Sequence, residues 1–513
     1  MSAALLDHAV RSTRVWKSER GLLAALLTAY LALWTGYAVI SHLPDVVHFD
    51  MAEAYVWGLD LQLGYYKHPP LMAWVTRLWF SVFPASDAAF YLLSIANATL
   101  SLFAVWLFAG EFVRDERRIL AVAALMLTPL YSFHAIKFNA NTILLPLWPL
   151  AAFAFLRALR TRALCWAIAF GAAAAAAMLA KYYSGILLVG CLAAALLDAD
   201  RARYFKSSAP YVTIAVFLVL VMPHLVWFMQ SGGLPLRYAV ETRMGHNGGN
   251  LGQISAYLLG GAAYVVPMLA LLIRLGGGHT GGIRRIFAPG VRAAPDVRVE
   301  LGGPIDRQTL LVLSGSCVLL PAALGLALGV RVGATWSLPA WFAVPLLVLT
   351  APGLSFGPAA RRHGLALAGA LTVGACLASP LVAFAKSRLD DPAIREPRRE
   401  FAEAAGALWR ERTGYPLRLV AGSDRLAEYI SFYAPEHPSL FILFDAQKAP
   451  WVSPERLARD GLLIVCRDSD DACRQEAERL AGPAIGALSR ARRVFGRAEP
   501  EHGAHIWIMT PRS

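Results

Sequence analysis

The sequence predicts a polytopic α-helical membrane protein of about eleven spans with a C-terminal α/β domain. Three observations carry that prediction: an apolar composition, long runs without charge, and a change of character after residue 385. Length alone would suggest roughly three soluble domains. Of the 513 residues, however, 57% are hydrophobic and only 16% charged, and mean hydropathy is +0.49. Soluble chains carry about 25% charged residues, and runs of about eighteen or more apolar residues read as membrane spans. A cytoplasmic enzyme, a disordered chain and a secreted domain are excluded.

The net charge of +13 resembles a nucleic-acid signal until the chain is divided. Residues 1–385 carry 28 Lys/Arg against 16 Asp/Glu, whereas residues 386–513 carry 20 against 19. The excess belongs to the apolar part, where membrane orientation explains it. Nucleic-acid binding has no support.

A span needs about twenty apolar residues to cross roughly 30 Å of hydrocarbon. Residues 1–20 form a basic cytoplasmic N-terminus, with Arg11, Arg14, Lys17 and Arg20 ahead of a first span at 21–41. No small-residue cleavage site follows, so this segment is a retained helix and not a signal peptide. The remaining spans are 88–110, 119–134, 142–157, 165–180, 185–197, 208–229, 253–273, 309–329, 338–352 and 364–385. With the N-terminus inside, the inward segments hold 21 basic residues and the outward ones 7. The opposite orientation violates the positive-inside rule at every loop. An odd span count then sends 386–513 outside, into the periplasm of a Gram-negative cell.

In that tail, 417–422, 440–444, 461–466 and 505–509 read as strands and 396–412 and 470–481 as helices,. No catalytic motif stands out in it. Cys466 and Cys473, seven apart, either form a disulfide in an oxidising compartment or stay free,. Cys165, Cys191, Cys317 and Cys376 lie inside spans as small packing residues,.

Function in membrane proteins concentrates where polar residues meet the hydrocarbon. The richest such stretch is the first outward loop, 42–87, which is long and aromatic. Tyr55, Trp57, Tyr65, Tyr66 and Trp74 favour the headgroup level, so the loop is expected to lie on the membrane as short helices,. Asp50 and Glu53, three apart, share one helical face,. One carboxylate can take a proton from a hydroxyl while the other orients it or binds a cation. Equally, the pair can be ordinary acidic residues of a first helical turn. Tyr66-Lys67-His68 precedes Pro69-Pro70, whose rings stiffen the chain and hold the basic pair on a corner,. That suits a lipid phosphate; the alternative is a snorkelling lysine at a helix stop.

Further polar groups face outward. The second outward loop runs His134 to Thr142 and contains Lys137, Asn139 and Asn141, and Lys181 ends the fifth span. Loop 230–252 holds Arg237, Glu241, Arg243, His246 and Asn247 among glycines and prolines, and reads as a mobile lid or an exposed linker,. No GxxxxGK[ST], CxxC, HExxH or GxSxG occurs, and glycine-rich 276–282 reads as a linker,. Metal-ligand clustering is not evident, although a divalent cation is compatible with the paired acids.

The run Asp50-Met-Ala-Glu53-Ala-Tyr55, then Gly64-Tyr-Tyr-Lys-His-Pro-Pro-Leu71 and Trp74, resembles membrane glycosyltransferases with the GT-C fold. The resemblance is narrower to the bacterial branch related to protein O-mannosyltransferases and lipid A aminoarabinose or galacturonic acid transferases. Lys137 to Thr142, Ala180-Lys-Tyr182 and Pro223-His-Leu-Val-Trp227 extend it over about residues 21–350. It implies a polyprenyl-phosphate sugar donor used at the outer face of the inner membrane, and inversion at the sugar carbon. It implies that Asp50 is the acid near the acceptor, with Glu53 as its partner. Lys67 and His68 are implied to hold the donor phosphate; beyond what the resemblance implies, Arg243 and Lys181 are the next outward cations that could do so. Relatives commonly have Glu-Lys where this chain has Lys67-His68, which leaves open which one meets the phosphate. Tyr66, Asn139 and Asn141 are left to orient acceptor or sugar, since an amide cannot act as a base.

The chemistry agrees. A leaving phosphate needs cations, and an attacking hydroxyl needs a proton acceptor. A transporter or lipid flippase is the competing class, but it predicts repeats with helices broken at the midplane. No such repeat is found, and the polar residues gather at outer span ends. The acceptor is a lipid, lipid A or lipopolysaccharide, or a protein hydroxyl.

Overall fold

Runs of apolar residues bounded by paired charges set the architecture. In the computed structural model, residues 3–114, 116–243, 250–277, 307–389 and 392–512 are described. Seven of their helices are long and apolar enough to cross a membrane: Glu19–Ser41, Asp87–Ala109, Leu144–Thr161, Ala209–Gln230, Leu251–Leu275, Arg307–Leu328 and Pro358–Lys386. An eighth span arises if the bent pair Glu116–Met126 and Pro129–Ile136, at 78°, counts as one. The bend falls where Thr128 is extended ahead of Pro129, as the proline ring demands,. The shorter apolar helices Leu164–Ala180, Tyr182–Leu197 and Ala334–Leu349 match the expected segments 165–180, 185–197 and 338–352. All eleven expected segments are thus helical, and the protein is a multi-pass membrane protein.

Charges at one set of helix ends pair with each other. Arg361 meets Glu116 at 2.7 Å and Arg157 meets Glu111 at 3.5 Å. Arg118 donates to the Trp106 carbonyl at 2.7 Å and lies 3.3 Å above that residue's ring. Such partners lower the cost of holding cations beside hydrocarbon. Most of the basic loop 274–308 lies outside the described residues.

The first loop folds as two short helices, Phe49–Leu59 and Leu71–Phe80, joined by the proline corner. Four of its five expected headgroup residues are buried in protein, and Trp74 is half-buried. Tyr55, Trp57, Tyr65 and Tyr66 are at most 6% exposed, and Trp57 stacks on Tyr65 with centroids 4.8 Å apart. Tyr55 packs edge-on against Phe80 and against Phe432 of the C-terminal domain. The headgroup expectation fails because that domain covers the loop, so the rings bury in protein.

Among the described residues the C-terminal domain has seven strands: Leu419–Gly422 (β1), Ser439–Leu440 (β2), Leu462–Arg467 (β3), Gly486–Arg490 (β4), Arg493–Val494 (β5), Arg497–Ala498 (β6) and His502–Met509 (β7). The main sheet runs β2-β1-β3-β7-β4, with β1 parallel to β2 and β3, and β7 antiparallel to β3 and β4. The expected strand 440–444 is cut to Ser439–Leu440, because Leu443 and Phe444 take positive φ in a turn. Strand β4 had no legible apolar alternation. Helices Arg398–Thr413 and Asp471–Ala481 lie where expected, and a Cys466–Cys473 disulfide ties β3 to the second.

The domain is fastened to the first loop by specific bonds. The Tyr433 hydroxyl accepts from Val47 N–H at 3.0 Å and donates to Asp87 at 2.9 Å. Tyr429 donates to the Val47 carbonyl at 3.0 Å, Arg399 meets Asp87 at 2.8 Å, and Arg456 meets Asp60 at 3.1 Å.

Candidate active site

Helix Phe49–Leu59 carries both expected acids. His48 caps it, its Nδ1 accepting the Asp50 N–H at 3.3 Å. Burial, opposed by Asp50 and reinforced by Lys137 and Arg425, brings His48 down to about 4. A neutral ring accepting that N–H cannot also donate from Nδ1, so the 3.6 Å approach to Asp50 Oδ2 is not an ion pair,. Asp50 instead takes a hydrogen bond from Asn139 Nδ2 at 2.9 Å. Its other oxygen has no hydrogen-bond partner among the described residues.

The loop 137–142 fixes that amide. Asn139 Oδ1 accepts the backbone N–H groups of Asn141 and Thr142 at 2.9 and 3.0 Å. With the oxygen so committed, the amide nitrogen must face Asp50. Two residues on, Asn141 Oδ1 accepts from Lys181 Nζ at 2.5 Å. Lys181 is the extended residue that separates Leu164–Ala180 from Tyr182–Ser184, and its ammonium lies 4.5 Å over the Trp336 ring.

One turn beyond Asp50, Glu53 is ion-paired with Lys67 at 2.5 Å and not hydrogen-bonded to Asp50. Burial raises Glu53, with Lys67 opposing. For Lys67 burial disfavours the charge, but Glu53 and Tyr66 outweigh it and hold the ammonium above the ordinary lysine range. The ammonium lies 5.1 Å over Tyr66 and 5.9 Å over Tyr238, and these two rings pack edge-to-face at 5.7 Å. His68 is placed differently. Its ring packs at 6.1 Å against Trp57, and its carbonyl accepts from Tyr65 N–H at 3.0 Å. Gly64 is set against the indole of Trp227, where a Cβ would collide, so the corner docks on helix Ala209–Gln230.

The structure thus draws the expected residues into two sets of contacts, Asp50–Asn139–Asn141–Lys181 and Glu53–Lys67–Tyr66, which meet on one helix through Asp50 and Glu53. Arg243 ends helix Leu234–Arg243, but its side chain lies outside the described residues, as do His246 and Asn247. That helix replaces the lid or linker expected over its length, and Tyr238 on it completes the wall around Lys67. Tyr238 carries no signal in the sequence, being a single ring in a loop whose charges dominate it. The same holds for Lys448, 5.9 Å over Tyr66, and the Asp424–Glu428 turn, all in a tail without a motif. Among the described residues no group of three His, Cys, Asp or Glu can hold a metal ion.

Residues 67–227 match the dolichyl-phosphate-mannose-protein mannosyltransferase family model. The chain is 28% identical over 350 residues to the lipopolysaccharide core galacturonosyltransferase RgtB of Rhizobium johnstonii, covering 66% of this chain and 67% of the relative. To the lipid A galacturonosyltransferase RgtD of the same organism it is 26% identical over 195 residues, 37% of this chain and 40% of the relative. The crystal structure of ArnT from Cupriavidus metallidurans bound to undecaprenyl phosphate superposes with a TM-score of 0.63 at 14% identity, over 94% of this chain and 98% of that one. The fold is therefore shared across nearly the whole chain, tail included. The family match, these relatives and the common fold together make the chain similar to bacterial membrane glycosyltransferases, with which it shares its fold.

Proposed function

We propose that this protein moves a sugar from a polyprenyl-phosphate donor to lipid A or the lipopolysaccharide core at the outer face of the inner membrane. One observation carries the reading: a carboxylate with an open oxygen, Asp50, and the carboxylate that holds the Lys67 ammonium, Glu53, stand one turn apart on the same helix. Asp50 is the base, aligned by Asn139. Lys67 receives the donor phosphate, and Glu53 holds it in place. The acceptor oxygen bonds to the sugar C1 as the C1–O bond to phosphate breaks, with inversion. Its proton passes to Asp50, and the new phosphate charge is met by Lys67. Tyr66 and Tyr238 shield that ammonium from water and leave the sugar an aromatic wall.

The relatives' names support an acceptor of the lipopolysaccharide class, and undecaprenyl phosphate in the ArnT crystal supports the donor class. In this reading residues 1–20 are cytoplasmic, 21–385 form the transferase domain with its periplasmic loop 42–87, and 386–513 are periplasmic. Purified protein given a panel of polyprenyl-phosphate sugars and lipid A transfers at least one of them. No transfer from any of the panel by folded protein defeats the reading. Mass spectrometry of envelope glycolipids from a deletion strain identifies the sugar.

A further inference from the structure

The C-terminal domain does more than cover the first loop. Its helix Leu426–Tyr433 packs over helix Phe49–Leu59, held by the Tyr429 and Tyr433 bonds to Val47. Glu428 lies in the first turn of that helix. Its Oε2 is sealed from solvent and has no hydrogen-bond partner among the described residues. An unsatisfied carboxylate oxygen in such a place is costly, whereas a neutral carboxyl group is tolerated.

The charges around it come from three parts of the chain. Helix Phe49–Leu59 contributes Glu53, with Asp50 one turn before it, and the proline corner contributes Lys67 and Tyr66. The domain itself adds Asp424 and Tyr429. Arg425 is drawn aside onto the Phe49 ring, 4.2 Å from its centroid, and Lys448 lies over Tyr66. Burial, then Asp424 and Glu53, push Glu428 up to about 7, with Lys67 opposing. Lys67 is thus already matched by one carboxylate, Glu53. A second negative charge there would compete with any anion brought to Lys67.

We propose that Glu428, supplied by the C-terminal domain, is a positioning residue of the transfer site: neutral, it leaves Lys67 available to the donor phosphate, and ionised, it repels that phosphate. The inference rests on the donor site proposed above. It gives the tail a part in the reaction and makes donor use sensitive to pH near neutrality.

The test is the donor KM of the full-length protein between pH 6 and about 8.5, compared with Glu428→Gln and Glu428→Ala. In the unaltered protein KM rises about tenfold across the range, the order expected for one added negative charge near the phosphate at an effective dielectric constant of about 20. Glu428→Gln keeps the neutral shape and gives a low, flat KM, whereas Glu428→Ala opens a cavity and loses that benefit. Asp424→Asn removes a neighbouring negative charge, so Glu428 ionises more readily and the rise begins at lower pH. An equal rise in Glu428→Gln overturns the proposal while leaving the transferase reading intact. Absence of transfer from any lipid-phosphate sugar by the unaltered protein overturns both.

Discussion

Asn139 Nδ2 donates to Asp50 Oδ2 at 2.9 Å across 89 residues of sequence, joining the second outward loop to the helix of the first. The bond leaves the other carboxylate oxygen open and fixes its direction. Asp50→Asn keeps the size but removes the proton acceptor, so kcat for sugar transfer should fall by about 10²–10⁴. Asn139→Ala should cost less, since a carboxylate remains but swings. If Asp50→Asn transfers at the normal rate, Asp50 is only a helix-turn residue.

The Lys67–Glu53 pair separates donor binding from acceptor binding. Lys67→Ala removes the half-buried cation and should raise the donor KM far more than the acceptor KM. Glu53→Gln should release Lys67 from its fixed place, and the charge-assisted bond lost is worth roughly 1.5–3 kcal/mol. His68→Ala should have the smaller donor effect, because its ring packs on Trp57 while Lys67 holds the Glu53 contact. Donor titrations of the three variants check the order. A larger donor defect in His68→Ala than in Lys67→Ala reverses the assignment.

Much of this was legible in the residues, for identifiable reasons. Spans are written in uninterrupted apolar runs, so the eleven expected segments fall on helical structure, seven of them on helices long enough to cross a membrane. The Asp50/Glu53 spacing and the Lys67–Pro70 corner are local, so they too could be read. What could not be read is pairing at a distance. Nothing in the sequence says that Glu53 meets Lys67 and Asp50 meets Asn139, or that Tyr238 closes over Lys67 from a loop noted for its arginines. The tail misled most. Its strands could be located, but without a motif the contacts of Glu428, Tyr429 and Tyr433 stayed hidden. The aromatic loop likewise looked lipid-facing, because composition cannot distinguish a ring covered by lipid from one covered by another domain.

Docking of the C-terminal domain should depend on Tyr433. Its hydroxyl bridges Val47 N–H and Asp87, and Phe cannot replace either bond. Tyr433→Phe leaves a buried donor and a carboxylate short of a partner, at about 1–3 kcal/mol. Faster hydrogen exchange across residues 426–433 and a lower Tm are expected. Exchange unchanged in the variant would mean that the Arg399 and Arg456 pairs suffice to hold the domain.

Topology offers a test that needs no substrate. The 21-to-7 division of basic residues predicts Met1 inside and the C-terminal domain outside,. Reporter fusions after Ser387 should be active in the periplasm and silent in the cytoplasm. The reverse pattern would put the proposed site on the wrong side of the membrane for an envelope acceptor.

His48 sets an acid limit on stability, and the sign follows from its shift. Its native value is about 4 against 6.5 in the unfolded chain, so between those values only the unfolded chain takes up the proton. Stability from this group is therefore complete above about pH 6.5 and is lost as pH falls towards 4. The cause is structural: the ring is buried, with Lys137 and Arg425 disfavouring a further positive charge, and its Nδ1 lone pair is used by the Asp50 N–H. His48→Asn keeps an acceptor for that N–H, since asparagine caps helices well, yet cannot titrate. The variant in detergent should match the unaltered protein in Tm at pH 7.5 and lose less of it by pH 5. Equal losses in the two proteins would mean that His48 is protonated with its cap intact, and that Asp50 has a cationic neighbour after all.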